Sequence, residues 1–386
     1  MKKLFMILLF LLFSFFMTTD VGAQQIAENE NYDNDIYNNE LSQSLNLDEM
    51  YSELPYQVQE ALAELGINDA DTSVVSELDF SSVLNLFIGM IAQESLGVFS
   101  SLSVVVAVIL IYSLTEGITD GLSSSTTKEI LSVVCGLCVA GALVFPVLEV
   151  IESAVQAISI SSDLMLAYIP VMSVVLISCG NSVTGSGYHA IMVMAAEGIA
   201  QLSSEVISPM LSVFLGINIC SSVLPGINLR GFTALMEKII KWMLSFSFTL
   251  FSGFLTLKTL ISSSIDSVST RAVRYTMSSF VPVVGSALSE AYRTVLGSVN
   301  ILKNGIGVFV IIAVAVVFFP VIARLLLWNI SVGVCKSFSE MINLTVPVQM
   351  LSSVSTVLSV MLAVILCIMA LFIVSTALIM TAGGVR

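Results

Sequence analysis

The sequence predicts an all-α, polytopic α-helical integral membrane protein with a short acidic extracytoplasmic region at its N-terminal end. Of its 386 residues, 56% are hydrophobic and only 11% are charged, whereas soluble domains contain about 25% charged residues. Apolar stretches near the length that crosses a bilayer recur along the chain. The acidic residues are concentrated in the first quarter of the sequence.

The distribution of charge separates the first 95 residues from the rest. Residues 24–95 contain fifteen Asp or Glu and no Lys or Arg, while residues 96–386 contain twelve of each sign. This acidity argues against a nucleic-acid partner and against docking on anionic lipid. Within the acidic region, residues 24–47 are rich in Asn, Asp, Glu and Gln, a composition typical of a disordered segment.

The first 23 residues have the pattern of a secretory signal peptide. Lys2 and Lys3 precede an apolar run, and Val21-Gly-Ala23 supplies the small residues expected before a cleavage site. An uncleaved membrane anchor is the alternative interpretation. Either interpretation places the acidic region that follows outside the cytoplasm.

Two strongly apolar blocks, residues 96–261 and 305–386, contain the predicted membrane spans. Residues 190–224 are long enough for one tilted span or two short ones, and residues 325–346 are ambiguous. The predicted total is six to eight spans. The other predicted spans cover 96–114, 130–148, 164–179, 242–260, 305–323 and 354–380. The glycines of 180–187 resemble part of a phosphate-binding loop, but Ser186 replaces the lysine and no strand precedes it, which excludes nucleotide binding.

Polar residues within 190–224 form a candidate polar pathway. Glu197, Gln201 and Glu205 lie on or beside one helical stripe. An ionisable group at bilayer depth costs about 2.5–3.5 kcal/mol on insertion scales, so it usually faces a polar path or a partner. The alternative is an interfacial helix whose glutamates reach water.

Between the two blocks, residues 262–304 predict two amphipathic helices joined by an elbow. The elbow is Phe280-Val-Pro-Val-Val-Gly285, in which Pro282 and Gly285 would interrupt a helix. The second helix presents an apolar stripe and is a candidate contact helix; the stripe consists of Leu288, Tyr292, Val295, Val299 and Leu302. Residues 225–241 and 262–304 each carry a net charge of +2, so the positive-inside rule does not choose between them.

The elbow motif, with Phe280, Pro282 and Gly285, resembles that of the stage III sporulation protein AE family. The preceding Arg271 and Arg274, the apolar stripe, the signal peptide and the Thr381-Ala-Gly terminus add to the resemblance, which extends from about residue 79 to the end. It implies a component of a channel or secretion-like complex between mother cell and forespore, in the mother-cell membrane around the forespore. It also implies other stage III sporulation membrane proteins and stage II protein Q as partners.

The sequence does not suggest an enzyme, and it predicts no cofactor or metal. The family has no established catalytic residues to transfer, and no HExxH, GxSxG or paired Asp motif occurs. The alternative function is a secondary transporter that uses intramembrane glutamates. No internal repeat of spans is evident, which weakens that alternative.

Overall fold

A computed structural model describes residues 51–52, 56–64, 80–119, 125–223, 230–280 and 285–381. The predicted signal peptide (1–23), the predicted disordered segment (24–47) and Pro282 lie outside the described residues. The described elements are α1 Tyr56–Glu64, α2 Phe80–Thr119, α3 Ser125–Ser178, α4 Ser182–Gln201, a π-helix Leu202–Ile207, α5 Ser208–Val223, α6 Arg230–Phe280, α7 Gly285–Met341 and α8 Thr345–Thr381. The all-α prediction is confirmed for this part of the chain.

Six helical segments of the described chain are long and apolar enough to cross a membrane: 88–117, 136–178, 182–221, 231–273, 294–341 and 345–381. This number agrees with the lower end of the predicted range. Two predicted spans, 130–148 and 164–179, are wrong as separate elements, because α3 runs through both as one helix of 54 residues. Pro146 and Pro170 both lie inside α3 without ending it. The ambiguous residues 325–341 continue α7, and 190–223 belong to one continuous helical segment.

These helices are much longer than the hydrocarbon layer. At 1.5 Å per residue, the 57 residues of α7 extend about 85 Å, whereas the bilayer core is about 30 Å thick. The α7 span is the most deeply buried of the candidate spans, the α3 and α8 spans follow equally, and those of α2 and α6 are the most exposed. Gly307 allows α7 and α8 to approach closely, because a Cβ atom there would lie 2.5 Å from Met380 Cγ.

Contacts between the helices define two ends of the bundle. At one end, called the hairpin end, the turn between α3 and α4 lies beside α7, with Cys179 Sγ 3.9 Å from Asn300 Oδ1. The end of α8 lies near the same level, as the Gly307–Met380 approach shows. At the other end, α5 and α7 finish and α6 and α8 begin. We call it the cleft end, because these four helices line a cleft there.

Gly180 makes the tight turn between α3 and α4. Its φ is 79°, a conformation that favours glycine. Asn181 N donates to Leu176 O at 2.9 Å and Gly180 N donates to Ile177 O at 2.9 Å, which is the Schellman pattern of a helix C-terminus. Gly185 then permits close packing, because a Cβ atom there would lie 2.9 Å from Ser173 O. These two glycines of the 180–187 segment therefore serve the turn and the packing of the hairpin.

Candidate functional site: the outward polar face of the α3–α4 hairpin

The three residues of the predicted polar pathway lie on the outside of the chain. Glu197 and Gln201 are exposed at the end of α4, and Glu205 is exposed within the π-helix. The adjacent Ser204 is also exposed, and its hydroxyl donates to Ala200 O at 3.1 Å. The structure thus groups these residues on one stripe, and that stripe faces away from the interior of the bundle.

A second polar stripe, which the sequence analysis missed, runs along the outside of α3. Glu152, Gln156, Ser159 and Asp163 are all exposed, and their spacing of four, three and four residues places them on one helix face. Sequence reasoning assigned these positions to a connection between two spans. Their helical spacing was the signal that could have identified them, because a connection has no reason to repeat polar residues at that period.

The two stripes lie side by side. Ser173 Oγ on α3 is 3.5 Å from His189 Nδ1 on α4, and α3 and α4 run antiparallel away from this contact. Counting along both helices places Asp163 about level with Glu197 and Gln156 about level with Glu205. Successive residues are rotated by about 100° around the axis of an α-helix, and by this rotation the exposed residues of α3 and α4 lie on the same side of the hairpin. We call the combined surface the polar face; it consists of Glu152, Gln156, Ser159, Asp163, Glu197, Gln201, Ser204 and Glu205.

The polar face lies at the depth of the most apolar part of the molecule. Ser375 Oγ of α8 is 3.2 Å from Met192 Sδ of α4. Because α4 runs from the hairpin end and α8 runs towards it, Glu197 and Glu205 are level with about residues 362–370 of α8. Those nine residues contain no polar or charged side chain apart from the thiol of Cys367. Carboxylates at this depth are costly wherever they contact lipid.

The carboxylates of the polar face have no basic partner in the part of the chain that the structure describes. The ion pairs in that part of the chain involve other residues. The face also contains no grouping of His, Cys, Asp or Glu that could hold a metal ion among those residues. Its surface is therefore acidic and hydrogen-bonding, with no internal compensation.

A second set of charges in the bundle is paired across helices, with one cation between two carboxylates. Arg324 of α7 joins three helices: its Nη2 lies 2.6 Å from Glu149 Oε1, its Nη1 donates to Ser153 Oγ at 3.2 Å, and its Nε lies 3.7 Å from Glu94 Oε2. The predicted span ended at Arg324, but α7 continues to Met341. We call this set the arginine cluster.

The central segment supports the hairpin from the other side. Asp266 of α6 is 1% exposed, and its carboxylate accepts hydrogen bonds from Val183 N at 3.0 Å and Thr184 N at 2.8 Å. It thereby caps the N-terminus of α4, where orphan N–H groups and the helix dipole favour an anion. Burial raises the pKa of the Cys179 thiol beside this cap, although nearby Lys303 acts in the opposite direction.

The candidate contact helix divides into an inner and an outer part. Val299 is 2% exposed and Leu302 is 1% exposed, so both pack inside the chain. Tyr292 is half-buried, and Val295 is 42% exposed. The side chain of Leu288 lies outside the described residues. In the elbow motif, α6 ends at Phe280 and α7 begins at Gly285; residues 281–284 lie outside the described residues.

Six helical segments of the described chain that are long and apolar enough to cross a membrane define a polytopic α-helical membrane protein. The description of the family model that matches residues 70–383 is stage III sporulation protein AE, and the chain belongs to that family. A curated relative, Stage III sporulation protein AE of Bacillus subtilis (strain 168), is 24% identical over 173 residues. The match covers 45% of this chain and 43% of the relative, less than half of either. No solved structure matches.

Proposed function

We propose that this protein is a membrane subunit of a channel or secretion-like complex that links the mother cell and the forespore and is needed for late forespore development. Family membership supports a sporulation role. The observation that carries the more specific proposal is the polar face. Its carboxylates lie on the outside of the chain, level with the apolar middle of α8; we propose that this level lies within the bilayer, where another subunit or a water-filled path must cover them.

The direction of the polar face favours a subunit over a self-contained transporter. A secondary transporter usually holds its coupling carboxylates between its own helices, near the midplane. Here Glu197 and Glu205 point away from the bundle, while the interior at their depth is filled by apolar residues of α8 such as Val364 and Ile365, both 0% exposed. A polar path that used these glutamates would run beside the chain, between subunits. The proposal assigns the chain no catalytic role.

The proposed surroundings follow from the family and from the arrangement of the helices. The proposed location is the mother-cell membrane around the forespore, and the proposed partners are other stage III membrane proteins and stage II protein Q. If the predicted signal peptide exports residues 24–95, the start of α2 and the hairpin end face the extracytoplasmic space. The elbow between Phe280 and Gly285 then lies on the side where a partner from the forespore membrane would approach.

The test compares carboxylates on and off the polar face. Glu197→Gln and Glu197→Leu should impair sporulation while leaving protein abundance normal, and Asp163→Asn should act in the same direction. The matched control is Glu60→Gln, since Glu60 is an exposed carboxylate on α1. Affinity isolation from detergent-solubilised sporulating cells should recover several membrane proteins with the unmodified chain. Full sporulation by both Glu197 variants would refute the role of the polar face.

A further inference from the structure

A polar cleft opens at the cleft end of the bundle, about one helix length away from the hairpin turn. It encloses about 390 Å³ and is lined by residues of α5, α6, α7 and α8. Most of its lining side chains are polar, including Asn218, Thr233, Gln349, Ser352 and Thr356. Such a lining favours water over lipid tails, because contact with hydrocarbon would desolvate its polar and charged groups.

The charges in the cleft are balanced within the chain. Glu237 on the α6 wall pairs with Lys241 one turn further along the helix. Lys336 on the α7 wall lies 3.9 Å from Glu340, measured from Nζ to Oε1. Because each carboxylate has a cation beside it, the cleft presents hydrogen-bonding groups without a strong net field of either sign.

The cleft ends blindly inside the bundle. From Gln349 to Thr356 the α8 wall descends about 10 Å. One turn beyond Thr356, the interior of the bundle is filled by apolar residues of α8, among them Val357, Val360 and Met361, each 0% exposed, while the half-buried Ser359 bonds to Asn329. Phe214, 1% exposed, closes the α5 wall at the same depth.

We infer that the cleft is a hydrated, blind vestibule that admits small polar solutes of either charge from the cleft end and is closed by the apolar core of α8. This property concerns the interior of a single chain, so it stands independently of the polar face and of the proposed complex. In this closed form the vestibule does not continue through the described helices of a single chain.

Thiol accessibility tests the vestibule in the full-length protein. The six native cysteines are replaced by alanine, and Ser352→Cys, Ser353→Cys, Thr356→Cys and Val360→Cys are made singly. Membrane vesicles that are open on both sides are treated with a cationic and an anionic methanethiosulfonate. Cysteines at 352 and 356 should react at least about 100-fold faster than the cysteine at 360, because only a hydrated thiol ionises readily. The cationic and anionic reagents should differ by less than about tenfold in a charge-balanced site.

Each other result overturns the inference. Equal protection at 352, 353, 356 and 360 in protein that remains monodisperse would show a dry cleft. Rapid reaction at 360 would show that the vestibule is not blind. A preference of more than about tenfold for one sign of charge would show a field that the ion pairs do not balance. Sporulation supported by the cysteine-free chain confirms that the background folds, and a sporulation defect of the polar-face variants is scored separately.

Discussion

The arginine cluster and the polar face both place charged groups among membrane-spanning helices, but they satisfy them differently. In the cluster, one guanidinium collects two carboxylates and a hydroxyl from α2 and α3. On the polar face, two stripes of carboxylates, amides and hydroxyls lie on adjacent helices without a cation in the described part of the chain. Both sites include α3, where Ser153 of the cluster directly follows Glu152 of the polar face.

The difference separates two uses of intramembrane charge. A compensated cluster fixes helices relative to one another, and its removal is expected to reduce stability. An uncompensated surface contributes little to the isolated chain, and its removal is expected to affect assembly or transport. Mutations in the arginine cluster should therefore reduce stability more than mutations on the polar face do. Mutations on the polar face should reduce assembly or transport more than they reduce stability.

The largest effect on stability is expected from Arg324→Met. The substitution leaves Glu94 and Glu149 without their cation. Because Arg324 is 24% exposed and Glu149 64% exposed, the pair is only partly buried, and loss of its charge-assisted hydrogen bonds costs about 1.5–3 kcal/mol. Thermal unfolding of the purified protein in detergent measures the loss. The control is Lys238→Met, since Lys238 is an exposed cation on α6 and should change stability by about 0.5 kcal/mol or less. Equal melting temperatures for the two variants would mean that the cluster does not hold the helices together.

The next largest effect is expected from Gly185→Ala, which tests the packing that brings the two polar stripes together. The new Cβ atom would lie 2.9 Å from Ser173 O, a backbone atom that cannot rotate away. Overpacking of this kind costs about 1–3 kcal/mol. Gly198→Ala is the matched control on the same helix, because no atom lies within 4 Å of a Cβ there. Greater destabilisation by the control would contradict the hairpin geometry.

A smaller loss is expected from Asp266→Ala, which removes the cap from the α4 N-terminus. Loss of a helix cap costs about 0.5–2 kcal/mol. Hydrogen exchange at the amides of Val183 and Thr184, measured by mass spectrometry of the surrounding peptide, should accelerate. Asp266→Asn keeps one acceptor oxygen and should give an intermediate rate; unchanged exchange in both variants would show that other groups hold these amides.

The smallest effect on stability is expected on the polar face itself. Glu205→Gln and Asp163→Asn should each change the unfolding free energy by about 0.5 kcal/mol or less, as is usual for exposed positions without a partner. The same variants should reduce recovery of the assembled complex from sporulating cells. A loss of stability as large as that of Arg324→Met would place these carboxylates in a compensated site, and the distinction between the two regions would fail.

The sequence predicts the helical class and the approximate number of spans because apolar length is a strong signal. It does not predict the continuity of α3, since Glu149, Glu152 and Asp163 interrupt the apolar run and suggest a connection. Hydropathy averages the residues of a segment, so it cannot show that these carboxylates share one face of an unbroken helix. Helical periodicity contains that information.

Pairing across the bundle is beyond the reach of the sequence alone. Nothing in the local pattern indicates that Arg324 meets Glu94 and Glu149, because these residues are about 170–230 positions apart in the chain. The local pattern also does not indicate that Asp266 contacts the N-terminus of α4, because this contact depends on the packing of α6 against the hairpin end. The apolar stripe of the central segment was visible, but only the packed bundle divides Val299 from the more exposed Val295.

The π-helix Leu202–Ile207 has a consequence for the length of the chain. A π-helical turn contains one residue more than the α-helical turn it replaces. The buried positions before it, such as Met192 and Ala196, and after it, such as Leu211 and Phe214, both face the core. Deleting one residue within the π-helix would thus restore an α-helix and keep the buried sides of α4 and α5 directed at the core. A deletion within α5 would instead rotate the residues that follow it by about 100° around the helix axis. The hairpin therefore contains one position at which it can become a residue shorter without turning its apolar side outward.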